Sequence, residues 1–349
     1  MFSNRDLLKM ILPSIIQQVL AITVSTADSI MVASAGEAAV SGVSLVGTLD
    51  SLLIIAFSSL VSGGAVIVSH TLGNRNEKLA RECAKQLIYV ATGIALFLTI
   101  VMSIFCMPML SLLYGNAEQD VLFNANSYLR IMVLSFPFLA LYNSCEALFR
   151  VMGNTMISMI LSFIMNAINI AGNALFIFGF EMGTAGAALA TLISRILCSV
   201  IMILLLHNRK NDVYIENLFS YRPDFNVIKK ILHIGVPHGL ESSMFQFGRL
   251  VTQVLISSMG TASIAANSVA NTLANYLYMP SNAIQNCAVT VVGRCVGAGE
   301  KNRQKNIPKP YCCGPMYPCG QFRFCCLYWQ ALSSVYTIYQ KRELCLLCS

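Results

Sequence analysis

Charged side chains are what this sequence has least of. Asp, Glu, Lys and Arg make up 11% of its 349 residues against 56% apolar, where a soluble domain carries about a quarter charged residues. That scarcity excludes a soluble globular domain and points to a multipass membrane protein. No glycine-rich phosphate loop, nucleophile triad or metal-ligand cluster with workable spacing occurs, so ATP-driven transport, membrane hydrolysis and enzymatic activity in general find no support. No catalytic residue, metal ligand or cofactor is assigned. The net charge of +7 forms no basic patch, which removes nucleic acid as a partner.

Lys and Arg are missing altogether from four stretches, 34–42, 111–120, 179–183 and 259–263. The loops between those stretches hold them instead: Arg75, Lys78, Arg81 and Lys85, then Arg150, then Arg209, Lys210, Arg222, Lys229 and Lys230, then Arg294, Lys301, Arg303 and Lys305. Basic residues mark the cytoplasmic side. Eight apolar stretches separate the two kinds of loop, at about 10–33, 43–69, 86–110, 121–149, 155–180, 183–207, 231–258 and 264–292, each long enough for a spanning helix of roughly 20 residues. The expectation is an all-α multipass protein of the cell membrane, with a cytoplasmic N-terminus and every even-numbered helix ending in the cytoplasm. A signal peptide is the rival for the first stretch, but Pro13, Gln17 and Gln18 interrupt its apolar region.

The chain also repeats itself. Shifted by 224 residues, 13–73 superimposes on 237–297 without a gap, Pro13 on Pro237, Gly36 on Gly260 and Gly73 on Gly297. Six helices lie between the two starts, and an even number restores orientation, so the repeats are parallel and their pseudo-twofold axis runs along the membrane normal. The organisation expected is a first six-helix lobe over 1–207, a cytoplasmic connection over 208–230 and the start of a second lobe over 231–306. Residues 307–349 differ in composition: they hold seven of the 13 cysteines, the only tryptophan, Trp329, and four prolines between 308 and 318. Cys312, Cys313, Cys319, Cys325 and Cys326 contain no CxxC pair suited to zinc. An altered reading frame after Asn306 explains the change better than a metal site.

Asp28 is the sharpest single residue. It lies roughly 25 Å along helix 1 from the cytoplasmic end, at a depth where an ionised group costs several kcal/mol unless paired or hydrated. Gln17 and Ser25 share its face of the helix, giving a polar stripe fit to line a cavity. Helix 5 carries Asn166, Asn169 and Asn173 on one face and helix 6 adds Thr191; amide and hydroxyl oxygens can ligate a hard cation or hold the water around a titrating carboxylate. Helix 8 presents Asn267, Asn271, Asn275, Asn282 and Asn286 within one sector, with Tyr276, Tyr278 and Met279 nearby. The bland alternatives are an acid snorkelling to the outer surface and asparagines that only join helices. Glu241 on helix 7 is a candidate for substrate contact or for an ion pair, as are Asp50, Glu146, Arg130, Arg195 and Arg249 for ion pairs.

Three elements, Thr26-Ala27-Asp28-Ser29-Ile30-Met31-Val32, Phe149-Arg150-Val151-Met152-Gly153-Asn154-Thr155 and Gly183-Thr184-Ala185-Gly186-Ala187-Ala188-Leu189-Ala190-Thr191, resemble multidrug and toxic compound extrusion (MATE) transporters. Gly235-Val236-Pro237-His238-Gly239-Leu240-Glu241 and Val292-Gly293-Arg294-Cys295-Val296-Gly297-Ala298-Gly299 are similar to the start of helix 7 and the end of helix 8 in that family. The resemblance covers about 5–306 and implies twelve helices in two six-helix lobes, so that four helices of the second lobe are missing. It implies a coupling-cation site at Asp28, Asn169, Asn173 and Thr191, and a cavity for organic cations to which Gln17, Glu241, Asn267, Asn271, Asn275 and Tyr278 contribute. One position departs: the family commonly has an aspartate where Asn173 stands, which weakens the case for Na+ and favours H+. The function implied is a monomeric antiporter in the lipid bilayer, exporting amphipathic cationic compounds in exchange for H+ or Na+. The alternatives are a related lipid-linked oligosaccharide flippase and a non-functional fragment of a transporter.

Overall fold

A computed structural model describes residues 4–114, 118–215, 223–257 and 261–298. Among them every regular element is helical: α1 (Asn4–Ala33), α2 (Glu37–Gly73), α3 (Glu77–Tyr114), α4 (Gln119–Val151), α5 (Thr155–Asn173), α6 (Gly183–Leu206), α7 (Phe225–Ser257) and α8 (Thr261–Gly297). A π-helical turn, Ala174–Gly179, continues α5 beyond Asn173. Expectations for the tail 307–349 lie outside the described residues.

The helices follow the apolar runs and stop where the backbone is given another partner. α4 ends because Gly153 takes φ +86, a left-handed value that costs a glycine nothing. The amides of Gly153 and Asn154 then fold back onto the carbonyls of Arg150 and Phe149, each at 2.9 Å. Thr155 opens α5 with its hydroxyl on the carbonyls of Lys9 and Met10, at 3.2 and 3.1 Å, which ties the start of α5 to α1. Among the described residues six helices, α1 to α6, are long and apolar enough to cross a membrane by length and composition. α7 and α8 are as long but more polar, through Lys229, Lys230 and Glu241 in one and a row of asparagines in the other.

α4 is the centre of the first lobe, packed by α2, α3 and α6 around a core that includes Phe57, Leu87, Leu129, Phe136, Leu148, Phe149 and Met202. α1 pairs with α5 at its edge, while α7 lies on α2 and α8 lies on both α2 and α1. The α2–α8 crossing is reciprocal. A Cβ at Gly73 would run into the carbonyl of Arg294, one at Gly297 would run into the carbonyl of His70, and the Cβ position of Gly297 is 3.1 Å from Gly73 Cα. Gly73 and Gly297 are repeat mates, and so are His70 and Arg294; Ser69 likewise meets its own mate, Gly293. Contacts exchanged in this way are those of a twofold interface, and the axis passes between the ends of α2 and α8.

Candidate cation-coupling site

Asp28, Asn169, Asn173 and Thr191 come together from three helices. Asn173 donates its amide hydrogen to Asp28 Oδ1 at 2.6 Å. The Asn169 amide is satisfied on both sides when its Nδ2 donates to Asp28, 2.8 Å from Oδ1 and 3.2 Å from Oδ2, and its Oδ1 accepts from Thr191 Oγ1 at 3.1 Å. Thr191 Oγ1 also lies 3.0 Å from the carbonyl of Ala187 one turn back. Asn169 and Asn173 are 6% and 1% exposed, so their polar atoms depend on one another, water being out of reach. One atom is left over: Asn173 Oδ1 is buried and has no hydrogen-bond partner among the described residues.

An apolar cluster closes one side of this group. Val32, Ile177 and Ala187 pack together with Ala39, and each of the first three sits one turn from Asp28, Asn173 or Thr191 on its own helix. Because α6 runs against α1 and α5, all three lie toward the same end of the lobe. Tyr128 of α4 packs against this cluster and against the main core, and its phenol feels the charges of Asp50, Arg195 and Asp28. Sequence reasoning did not find it, since one tyrosine on a helix packed by three others gives no periodic signal. Arg195, one turn past Thr191, does find the partner its depth demands: it lies 3.6 Å from Asp50 and donates to Ser135 Oγ at 2.7 Å.

Other sequence expectations are placed differently. Glu146 pairs with Arg150 on its own helix, and Arg130 lies beside Cys106. Glu241 is exposed and 3.9 Å from His238, while the side chain of Arg249 lies outside the described residues. Gln17, half-buried on α1, and Glu241 are repeat mates. Asn267 and Tyr278 are half-buried on α8; the side chains of Asn271 and Asn275 fall outside the described residues. The structure therefore brings together the four candidate residues Asp28, Asn169, Asn173 and Thr191 and leaves the substrate cavity as an expectation.

The family model described as MatE matches residues 13–175 and 237–307. The chain belongs to the MatE family. Its similarity to known members runs along most of its length: 27% identity over 293 residues with the uncharacterized transporter YisQ of Bacillus subtilis, covering 82% of this chain and 63% of that one. With the probable multidrug resistance protein NorM of Thermotoga maritima it shares 26% over 305 residues, covering 85% and 64%. The chain thus spans a little under two thirds of these relatives. Among solved structures, a MATE protein in the bent conformation superimposes with a TM-score of 0.80 at 19% identity, covering 86% of this chain and 67% of that one. An outward-facing multidrug resistance MATE family transporter superimposes with the same TM-score of 0.80 at 19% identity, over 88% and 68%. The fold is that of MATE proteins, all-α and multipass, and among the described residues α7 and α8 follow the first six helices.

Proposed function

We propose that this MatE protein is built as a secondary exporter of amphipathic cations, with Asp28 as the group that couples export to an inward ion, and that the ion is H+. The observation that carries the reading is the direction of the amides around Asp28. Asn173 turns its N–H toward the carboxylate, and Asn169 does the same in the orientation that satisfies both of its amide atoms, as an anion requires, whereas a Na+ site would turn its oxygens inward. Protonation makes Asp28 a donor, and it then needs an acceptor. Asn173 Oδ1 lies buried beside it without a partner, ready to take that proton's hydrogen bond once the amide turns. The two states of Asp28 so favour two arrangements of α1 against α5, which is what an ion must do to bias an alternating-access equilibrium.

The relatives named for multidrug resistance and multidrug export support drug-like small molecules as the cargo; the preference for cations is the reading proposed here. The test separates binding from coupling. In proteoliposomes holding the 349-residue chain, Asp28→Asn is expected to bind a cationic dye as the unsubstituted chain does and to lose dye movement driven by a proton gradient. Dye movement that ignores the gradient, or one that Asp28→Asn leaves intact, refutes coupling at Asp28. No movement by the unsubstituted chain favours the fragment reading.

A further inference from the structure

The segment between α6 and α7 reads as a polar connection, yet its first part is built into the first lobe. Val213 and Ile215 are 0% and 1% exposed and belong to the main core. Ile215 N donates to the Leu206 carbonyl at 3.3 Å, and its own carbonyl lies 2.6 Å from the His207 ring. Val213 N donates to Met152 Sδ at 3.4 Å. Tyr214 is held from the other side: Arg81 of α3 donates to its hydroxyl at 2.9 Å and stacks on its ring at 3.9 Å, a hydrogen bond and a cation–π contact from one guanidinium. Between these anchors Asp212 reaches out to Arg294 of α8, 3.5 Å away. Arg294 is also the residue whose carbonyl abuts Gly73 in the reciprocal seam. A second contact runs alongside, from Thr290 Oγ1 to the Arg150 carbonyl at 3.4 Å.

We propose that residues 207–215 form a strap fixed to the first lobe, and that its Asp212 positions Arg294 so as to hold the α2–α8 seam shut at the end where both helices stop. The role rests on the alternating-access reading above, in which one end of the seam must part during the cycle. Asp212 acts as a first-lobe residue because Tyr214 and the buried Val213 and Ile215 prevent the strap from following α8. When α8 moves, this contact breaks instead of stretching. With Asp212 58% exposed, the pair is worth a shift of roughly two- to five-fold in the ratio of open to closed seam, a bias suited to a gate that must open repeatedly.

The test measures the seam itself in the full chain in lipid nanodiscs. Spin labels are carried on non-canonical residues replacing the exposed Lys78 and Ala298, so that the native cysteines stay untouched. Asp212→Asn is expected to move population from the short to a longer distance by about two- to five-fold. Tyr214→Ala is expected to do the same although both charges remain, and Arg81→Gln repeats that loss of anchor from the α3 side should Tyr214→Ala misfold. Combining Asp212→Arg with Arg294→Asp is expected to restore the short distance. Distances unchanged in Asp212→Asn, or unchanged in both anchor variants, overturn the proposal, as does a swapped pair that leaves the seam open. Because every variant compared keeps Asp28, these outcomes leave the Asp28 reading standing, and a failure of coupling at Asp28 does not alter how the strap variants differ from the parent.

Discussion

Replacing Gly63 with alanine should separate two helices, and the structure gives the size of the effect. A Cβ at Gly63 would lie 2.7 Å from the backbone nitrogen of Gly235 and 2.9 Å from its Cα and from the Ile231 carbonyl. Carbon contacts become comfortable near 3.5 Å, so α2 and α7 must part by roughly 0.7 Å. Every atom met is backbone, and no rotamer change relieves it. Overpacking of this kind costs about 1–3 kcal/mol. Gly47, on the same helix, has nothing within 4 Å of its Cβ position, and there alanine removes a glycine from a helix interior and gains about 0.5–1 kcal/mol. The two variants should therefore differ by about 1.5–4 kcal/mol in opposite directions from the parent. The repeat contains its own comparison: Cys287, the mate of Gly63, stands opposite Ser14 with Sγ 3.8 Å from Oγ, so the α1–α8 crossing admits side chains where the α2–α7 crossing does not. Reversible unfolding in mixed micelles measures both variants. Gly63→Ala as stable as Gly47→Ala would show that the α2–α7 contact is not the close backbone seam described here.

Three further outcomes are expected. Arg195→Met leaves Asp50 buried without its partner and should cost about 3–5 kcal/mol, most of it recovered when Asp50→Asn is added; unfolding of the single and double variants decides this, and full stability of the single variant would refute it. Asn173→Asp sets a second carboxylate beside Asp28, where two like charges cannot both ionise unless a cation lies between them, so added Na+ should raise the melting temperature of this variant and leave the parent unchanged; a parent stabilised by Na+ would overturn the proton reading. A reporter active only outside the cytoplasm should be silent when fused after Lys85 and active after Gly115, and the reverse pattern would invert the topology.

The helices were legible because each apolar run ends at a glycine, a proline or a charged loop, and most begin and end within several residues of where the pattern puts them. α3 starts at Glu77, well before the expected 86, because the charged segment read as a loop forms its first turns. What the sequence could not show is which runs pack together. Apolar residues face lipid and neighbouring helices alike in a membrane, so α4, packed by three helices, is no more apolar a run than α3. The four candidate coupling residues stood out for the opposite reason: a carboxylate, two amides and a hydroxyl are costly at that depth, and cost makes them visible. Tyr128 escaped because its hydroxyl is polar while its ring passes for core. The strap escaped because Val213-Tyr214-Ile215 is only three residues long between charged and polar neighbours, too short to trace a period.

The repeat explains both what the two lobes share and what they do not. Ser69, His70 and Gly73 find their mates Gly293, Arg294 and Gly297 across the seam, so the residues that set shape are the ones the copies keep in register. The charge-bearing position is not kept, because the mate of Asp28 is Thr252, which only returns its hydroxyl to the Gly248 carbonyl of its own helix. A titrating group in one copy can then change the packing of α1 against α5 without a matching change in α7. The apolar cap of Val32, Ile177 and Ala187 lies at the end of the lobe away from the seam. Neutralising Asp28 therefore acts first at the end opposite the Gly73–Gly297 contact, and the Asp212–Arg294 pair holds that far end shut until the change in the lobe reaches it.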